Sequence, residues 1–193
     1  MITEARPLLG IVLCGGRSTR MGCDKAALLH PSGVSFLDHA HDRLLKVCSD
    51  VFVSGRTYQH RYRTIEDPVA DRGPATGVAA SLSHAAEEGY AGCLVTPVDT
   101  PMLTATHLEL IAERAQGQPD RVVCAIDIAQ NRRQPLIAAY PIRLRESIQS
   151  LADSDKPSLR QWLDQQDPVV IPVDSDSLLN VNSPEDLAVA LKT

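Results

Sequence analysis

Apolar and polar positions alternate in blocks along this chain: short apolar runs of strand length are followed by longer stretches whose apolar residues recur at helical spacing. The first run, Leu8, Leu9, Ile11, Val12 and Leu13, is nearly unbroken, as expected of a strand in a parallel sheet covered on both faces. Ser35 can then cap a helix carrying Phe36, Leu37, Ala40, Leu44 and Cys48 on one stripe, and Val51 to Ser54 reads as a short strand. A second helix is expected after Gly77, with Val78, Leu82, Ala85 and Ala86 on its apolar face and Gly89 at its end, before a strand at Cys93 to Thr96. Thr104 can cap a third, with Leu108, Ile111, Ala112 and Ala115 at helical spacing, leading to a strand at Val122 to Ile126. Leu136 to Tyr140 and Val169 to Val173 read as further strands, Leu144 to Leu151 and Leu159 to Leu163 as helices. Ser183 with Pro184, Glu185 and Asp186 marks the start of a closing helix. This alternation predicts a three-layer α/β/α domain with right-handed crossovers and a predominantly parallel sheet.

At 193 residues, 44% of them hydrophobic, the chain fits one domain with a sizeable core, expected to span residues 1–193. A net charge of −5, 4% aromatic residues and no long basic stretch argue against a nucleic-acid surface, so an anionic ligand would have to be held locally. No apolar run approaches the roughly 20 residues of a membrane span, and the first residues lack the pattern of a secretory leader. A soluble, cytoplasmic protein is expected. Cys14, Cys23, Cys48, Cys93 and Cys124 are odd in number and never spaced as CxxC, which supports neither a disulfide framework nor a zinc site. Cys93 and Cys124, inside expected strands, read as small buried hydrophobes.

The first strand runs into a glycine-rich loop holding three cations. At Gly15 and Gly16 the backbone can take positive φ and let phosphate oxygens approach successive amide N–H groups. Arg17, Arg20 and Lys25 add charge, and a cation on a partly dry phosphate contributes roughly twice what a neutral hydrogen bond does. Two better-known phosphate loops are excluded by spacing. A Walker loop has four residues between its glycines and then Lys followed by Ser or Thr, whereas five residues separate Gly16 from Gly22 here and Ala26 follows Lys25. A dinucleotide fingerprint would read GxGxxG, not GGxxxxxG.

Further candidates stand near expected strand ends. Asp99, in the stretch Pro97 to Pro101, follows an apolar strand where open α/β sheets place their ligands, and could hold magnesium or merely cap a turn. Gly73 to Gly77 form a second glycine loop before the expected second helix, equally readable as a phosphate or base contact and as a tight turn. Asp67 could accept from a ribose or base donor, or be a solvated turn residue. Asn180 and Asn182, one period-two step apart, would face the same side of a short strand and could line the acceptor end of a site. Arg132 and Arg133 could meet an anionic second substrate, a solvated loop being the plainer explanation.

Taken in order, LCGGRSTRMGCDK, the GPATG loop, PVDTP, QPLIAAYP and NVNSPEDL resemble the molybdenum cofactor guanylyltransferases over nearly the whole chain. The resemblance implies a Rossmann-like nucleotidyltransferase fold, with a nucleotide-binding part over about 8–103 and an acceptor-binding part over about 104–193. It implies transfer of GMP from GTP to molybdopterin with release of pyrophosphate, a need for Mg2+, and contact with other proteins of molybdenum cofactor biosynthesis. Carried onto this chain, Leu13, Cys14, Gly15 and Gly16 would meet the guanine, ribose and phosphates, and Arg20 and Lys25 would hold phosphates. Asp99 would bind the metal, Ser54, Asp67 and Gly77 would adjoin the nucleotide, and Asn180 and Asn182 would face the pterin. The family often has asparagine where Ser54 stands, so that contact is shortened here. Cytidylyl relatives usually carry alanine at the position of Gly15, which favours GTP, although VAASL at Val78 to Leu82 resembles the cytidylyl branch. A cytidylyl or sugar-nucleotide transferase is the alternative, and a nucleotide-binding module without turnover is the third.

Overall fold

The computed structural model describes residues 7–14, 24–30, 32–55, 61–66 and 72–182, with residues 186 and 188. Its centre is a seven-stranded sheet in the order β3-β2-β1-β4-β6-β5-β7. Strands β1 (Leu8–Cys14), β2 (Val51–Gly55), β3 (Thr64–Glu66) and β4 (Gly92–Pro97) are mutually parallel, as are β5 (Val123–Asp127) and β7 (Val169–Val173). Strand β6 (Arg132–Pro141) runs antiparallel to both its neighbours. The sheet is therefore mostly parallel, as the block pattern predicts.

The reversal at β6 has a local cause that hydrophobic spacing does not carry. Buried Asp127 ends β5, and its carboxylate accepts from the Gln130 backbone N–H at 3.1 Å, closing a turn in which Asn131 takes φ 48°. Asparagine tolerates that left-handed conformation better than most residues, and the resulting hairpin fixes the next strand antiparallel. Arg132 and Arg133, expected to precede a strand, lie inside β6, and Arg133 Nη1 is 3.6 Å from Asp164 Oδ1.

Helices α1 (Phe36–Leu45) and α3 (Ala105–Gln116) cover one face, burying Phe36, Leu44, Leu108 and Ile111 against Val12, Val53, Leu94 and Val123. Helices α2 (Pro74–Glu87), α4 (Arg145–Asp153) and α5 (Leu159–Gln165) cover the other, burying Leu82, Ile148 and Leu163 against Leu9, Ile11, Cys93 and Tyr140. Alternate residues of β1 thus enter different cores, which explains why its apolar run has almost no gaps. Each such side chain contributes on the order of 1.5–3 kcal/mol. Cys93 and Cys124 are buried small hydrophobes in β4 and β5 as expected, and burial pushes the Cys124 thiol up to about 11.

Caps expected at Ser35 and Thr104 form: Ser35 Oγ accepts from the Asp38 N–H at 3.0 Å, and Thr104 shares a capping box with His107. The second helix differs. It starts at Pro74, not after Gly77, because proline suits the first helical position and Gly73, with φ 88°, supplies the turn before it. Gly77 accordingly lies buried inside α2 and not in a flexible loop. The helix expected from Ser183 falls largely outside the described residues.

Gly92 sits where β4 passes the end of β6, and a Cβ added there would lie 2.1 Å from the Tyr140 carbonyl oxygen. That atom is backbone of a paired strand and cannot swing away. Gly92→Ala is expected to destabilise by the upper part of the roughly 1–3 kcal/mol typical of overpacking, read as a lowered urea midpoint. A midpoint unchanged within error would show that β4 and β6 can part at this point.

Candidate active site

The parallel strands β1, β2 and β4 end level. Cys14 pairs with Gly55 at the close of β1 and β2, and Leu13 pairs with Ser54 on one side and Pro97 on the other. Their ends therefore share one edge, the carboxyl edge of the sheet. From β1 the chain returns to Asp24, whose carboxylate accepts from the Ala26 N–H at 3.0 Å and caps a 3₁₀ turn, Lys25–Ala27. From β4 it enters the connection 98–104, where the Val98 N–H donates to the Leu13 carbonyl at 3.2 Å.

These two connections meet through their charged side chains. Lys25 Nζ donates to Asp99 Oδ2 at 3.0 Å and to Asn182 Oδ1 at 2.6 Å. The Lys25 and Asp99 side chains are 18% and 21% exposed, so the pair is sheltered but reachable. Asn182 arrives from the far side of the sheet. Beyond β7, Ser175 donates through Oγ to the Asp127 carboxylate at 2.7 Å, and the chain crosses back until the N–H of buried Val181 donates to the Asp99 carbonyl at 2.9 Å. One aspartate residue is thus held by a lysine at its side chain and by a distant segment at its backbone.

Residues 10–169 match the model of the MobA-like NTP transferase domain family. Among relatives, the chain is 40% identical over 190 residues to a probable molybdenum cofactor guanylyltransferase of Rhodopirellula baltica, covering 94% of this chain and 90% of that one. A protein of the same description from Mycobacterium tuberculosis is 33% identical over 183 residues, covering 92% and 90%. The chain belongs to the MobA-like NTP transferase family. Solved structures share its fold: molybdopterin-guanine dinucleotide biosynthesis protein A of Archaeoglobus fulgidus aligns with a TM-score of 0.76 at 19% identity over 96% of this chain and 97% of that one. A Mycobacterium tuberculosis protein solved in complex with manganese aligns with a TM-score of 0.72 at 14% identity, covering 98% and 100%.

Of the residues expected to serve a MobA-like site, the structure brings Lys25, Asp99 and Asn182 together. Leu13, Cys14 and Ser54 are buried at the strand ends beside them. Gly77 belongs to the second helix, in its buried face. Asn180 and Asn182 are both exposed around buried Val181, so they share a side as expected, but no strand forms there; the Asn182 side-chain amide donates to the Asn180 carbonyl at 3.5 Å. Gly15, Gly16, Arg17, Arg20 and Asp67 lie outside the described residues.

Sequence reasoning passed over the groups packed behind Asp99. Arg43, in the last turn of α1, is buried at 4% exposure, and its Nη1 donates to the Thr100 carbonyl at 2.7 Å and to the Leu103 carbonyl. It stands seven residues after Phe36, on the same apolar stripe, and a cation at that register was the available sign. Burial pushes the guanidinium down to about 10, leaving it charged at neutral pH. The His30 and His39 rings stack beside it with centroids 3.7 Å apart.

Burial lowers His39 to about 4, with Arg43 and then His30 adding to the effect, and His30 is lowered for the first two of these reasons. An unfolded histidine titrates near 6.5, so between about pH 6.5 and 4 the unfolded chain binds the extra proton. The stability contribution is complete above pH 6.5 and is lost as pH falls toward 4. Thermal midpoints are therefore expected to drop across this window, and His39→Gln to flatten the drop. An unaltered slope in the variant would show that His39 takes up its proton in the fold as readily as in the unfolded chain.

Proposed function

We propose that this protein is a molybdenum cofactor guanylyltransferase, transferring GMP from GTP to molybdopterin and releasing pyrophosphate. The observation that carries the reading is that one nitrogen, Lys25 Nζ, lies within hydrogen-bond reach of both Asp99 and Asn182. Those are the donor-side and acceptor-side residues of the reaction, contributed from 74 and 157 positions away. The descriptions of the relatives in Rhodopirellula baltica and Mycobacterium tuberculosis support the same activity.

An oxygen of the terminal phosphate of molybdopterin attacks the α-phosphorus of GTP in line; the new P–O bond forms as the bond to the β-phosphate oxygen breaks and pyrophosphate leaves. The nucleophile is already an anion, so no side chain need take a proton from it. The difficulty is instead to bring two polyanions together. Lys25 supplies a fixed positive charge where they meet, the cations Arg17 and Arg20 of the same loop hold the triphosphate, and Asn182 orients the acceptor beside Lys25. Asp99 is the carboxylate placed to hold a divalent cation. A single hard carboxylate next to bound phosphates fits magnesium, which commonly takes one or two carboxylates with substrate oxygens and water. When bound, the ion would neutralise triphosphate charge and stabilise the leaving pyrophosphate. A structural neighbour solved with manganese supports a divalent metal in this fold.

For the base, Gly15 favours guanine. The stretch Val78 to Leu82 that resembles cytidylyl enzymes buries Val78, Ala79 and Leu82 in the core beneath α2, so packing accounts for its composition. We take the nucleotide-binding part as about 8–103 and the acceptor-binding part as about 104–193.

Pyrophosphate release measured with GTP and with CTP, each with and without molybdopterin, tests reaction, base and acceptor together. GTP with molybdopterin is expected to exceed the other three combinations; faster release with CTP would reassign the base. Asp99→Ala and Lys25→Met are each expected to slow turnover by about a hundredfold or more, about 3 kcal/mol at the transition state. Near-normal magnesium-dependent turnover in Asp99→Ala would remove the metal assignment.

A further inference from the structure

We propose that Arg43 is a positioning residue for this reaction, acting through α1 as a strut that sets where Asp99 stands relative to Lys25. The inference rests on Asp99 serving the donor side as described above. Helix α1 is bonded at both ends to the two connections that form the site. At its beginning, the Phe36 N–H donates to the Leu28 carbonyl at 2.7 Å, and the Leu28 N–H donates to the Lys25 carbonyl at 3.2 Å, so α1 grips the turn that carries Lys25. At its end, Arg43 reaches the carbonyls of Thr100 and Leu103, one and four residues after Asp99.

The chemistry of Arg43 argues against a role in stability alone. Among the described residues it is the one Lys or Arg in the buried class, its Nε and Nη2 are buried without a hydrogen-bond partner, and no carboxylate is within ion-pairing distance. A charge compensated only by carbonyl dipoles costs several kcal/mol to desolvate, and a well-packed apolar side chain would be the cheaper way to fill the same volume. What an apolar side chain cannot do is hold two carbonyls of one connection at once. That connection needs holding, because Pro101 removes an N–H group from it and it has no regular structure between the end of β4 and the Thr104 cap. Its other ties among the described residues include the Val98 and Val181 bonds on the Asp99 side, the Lys25 bond to the Asp99 carboxylate, the turn bond from the Leu103 N–H to the Thr100 carbonyl, and a 3.4 Å bond from Thr100 Oγ1 to the Pro97 carbonyl.

The test uses the full chain with Arg43→Met, which fills the space without charge, and Arg43→Lys, which keeps the charge but can reach fewer acceptors. Thermal unfolding establishes that each variant is folded, and the Lys variant decides if the Met variant is not. Hydrogen exchange of the amides in 98–104 is read without substrate or metal, and initial rates are read as a function of magnesium and of GTP. The expected result for Arg43→Met is exchange in that connection faster by about tenfold, a half-activating magnesium concentration raised by about tenfold and a lower kcat, with KM for GTP at saturating magnesium within about twofold; Arg43→Lys should fall between. A merely structural role would lower the unfolding midpoint and leave the half-activating magnesium concentration unchanged. Wild-type exchange together with a wild-type magnesium dependence would overturn the inference. Asp99→Ala run alongside separates the two claims: if it retains turnover, the reading of Asp99 is wrong, whereas an inactive Asp99→Ala beside a wild-type-like Arg43→Met overturns the role of Arg43 alone.

Discussion

Level ending of parallel strands is the constraint on which this site depends. Because β1 is paired in register with both β2 and β4, the connections leaving Cys14 and Pro97 start within one strand spacing of each other, and Lys25 can meet Asp99. A slip of one residue in either pairing would send alternate side chains of β1 into the wrong core as well as displacing the connection, so the two cores lock the site's register. The ion pair itself contributes little to folding. At roughly a fifth exposure on each side it is a sheltered surface pair, and such pairs are typically worth about 0–1 kcal/mol. Its geometry has to be imposed from elsewhere, by the Asp24 cap under Lys25 and by the backbone bonds around Asp99.

Those backbone bonds are of unlike kinds. The Val98 and Val181 bonds are neutral and satisfy amides that the sheet and the returning segment would otherwise bury unpaired. The Arg43 bonds carry charge into the interior, where charge-assisted bonds are shorter and stronger but their donor is costly to bury. Holding a connection by a long side chain from a neighbouring helix makes the Lys25 to Asp99 separation a property of where α1 sits.

The block pattern carried most of the fold because the central strands β1, β2 and β4 are buried on both faces and the helices pack along one stripe, and those are the conditions under which periodicity is informative. It carried less where burial is not the deciding force. Strand β3 has three residues and one apolar side chain, Ile65, and offers no period to read. The hairpin that reverses β6 is decided by Asp127 and Asn131, one bonding a turn amide and the other accepting positive φ. The start of α2 was misplaced by four residues because a glycine pair around a proline reads as a loop, while Pro74 at the first helical position is equally a helix signal. In the candidate site, Asp99 was legible because motif and strand-end position agreed, while Lys25 and Asn182 were named from their motifs, the short strand expected at Asn182 not forming. Arg43 was not legible, since a single cation on an apolar stripe looks like interruption until its partners are known.

Asn182 shows how little separates the two halves of the site. Its neighbour Val181 is bonded to the backbone of Asp99, and its own side chain is bonded to the lysine that Asp99 holds. The Asn182 N–H in turn donates to the Asp186 carboxylate at 2.8 Å, so the segment is tied on both sides of its exposed amide. A segment fixed in this way cannot shift relative to Asp99 without breaking the buried Val181 bond, whose loss would strand an amide N–H in the core at a cost of about 1–3 kcal/mol. On the reading proposed above, the two substrates approach a junction whose backbone, among the described residues, is tied at Asp99, Val181 and Asn182, and the Lys25 side chain can adjust within it. The lysine must exchange its carboxylate and amide partners for phosphate oxygens when they arrive, and it can do so without any backbone movement because both partners lie within reach of one rotatable ammonium.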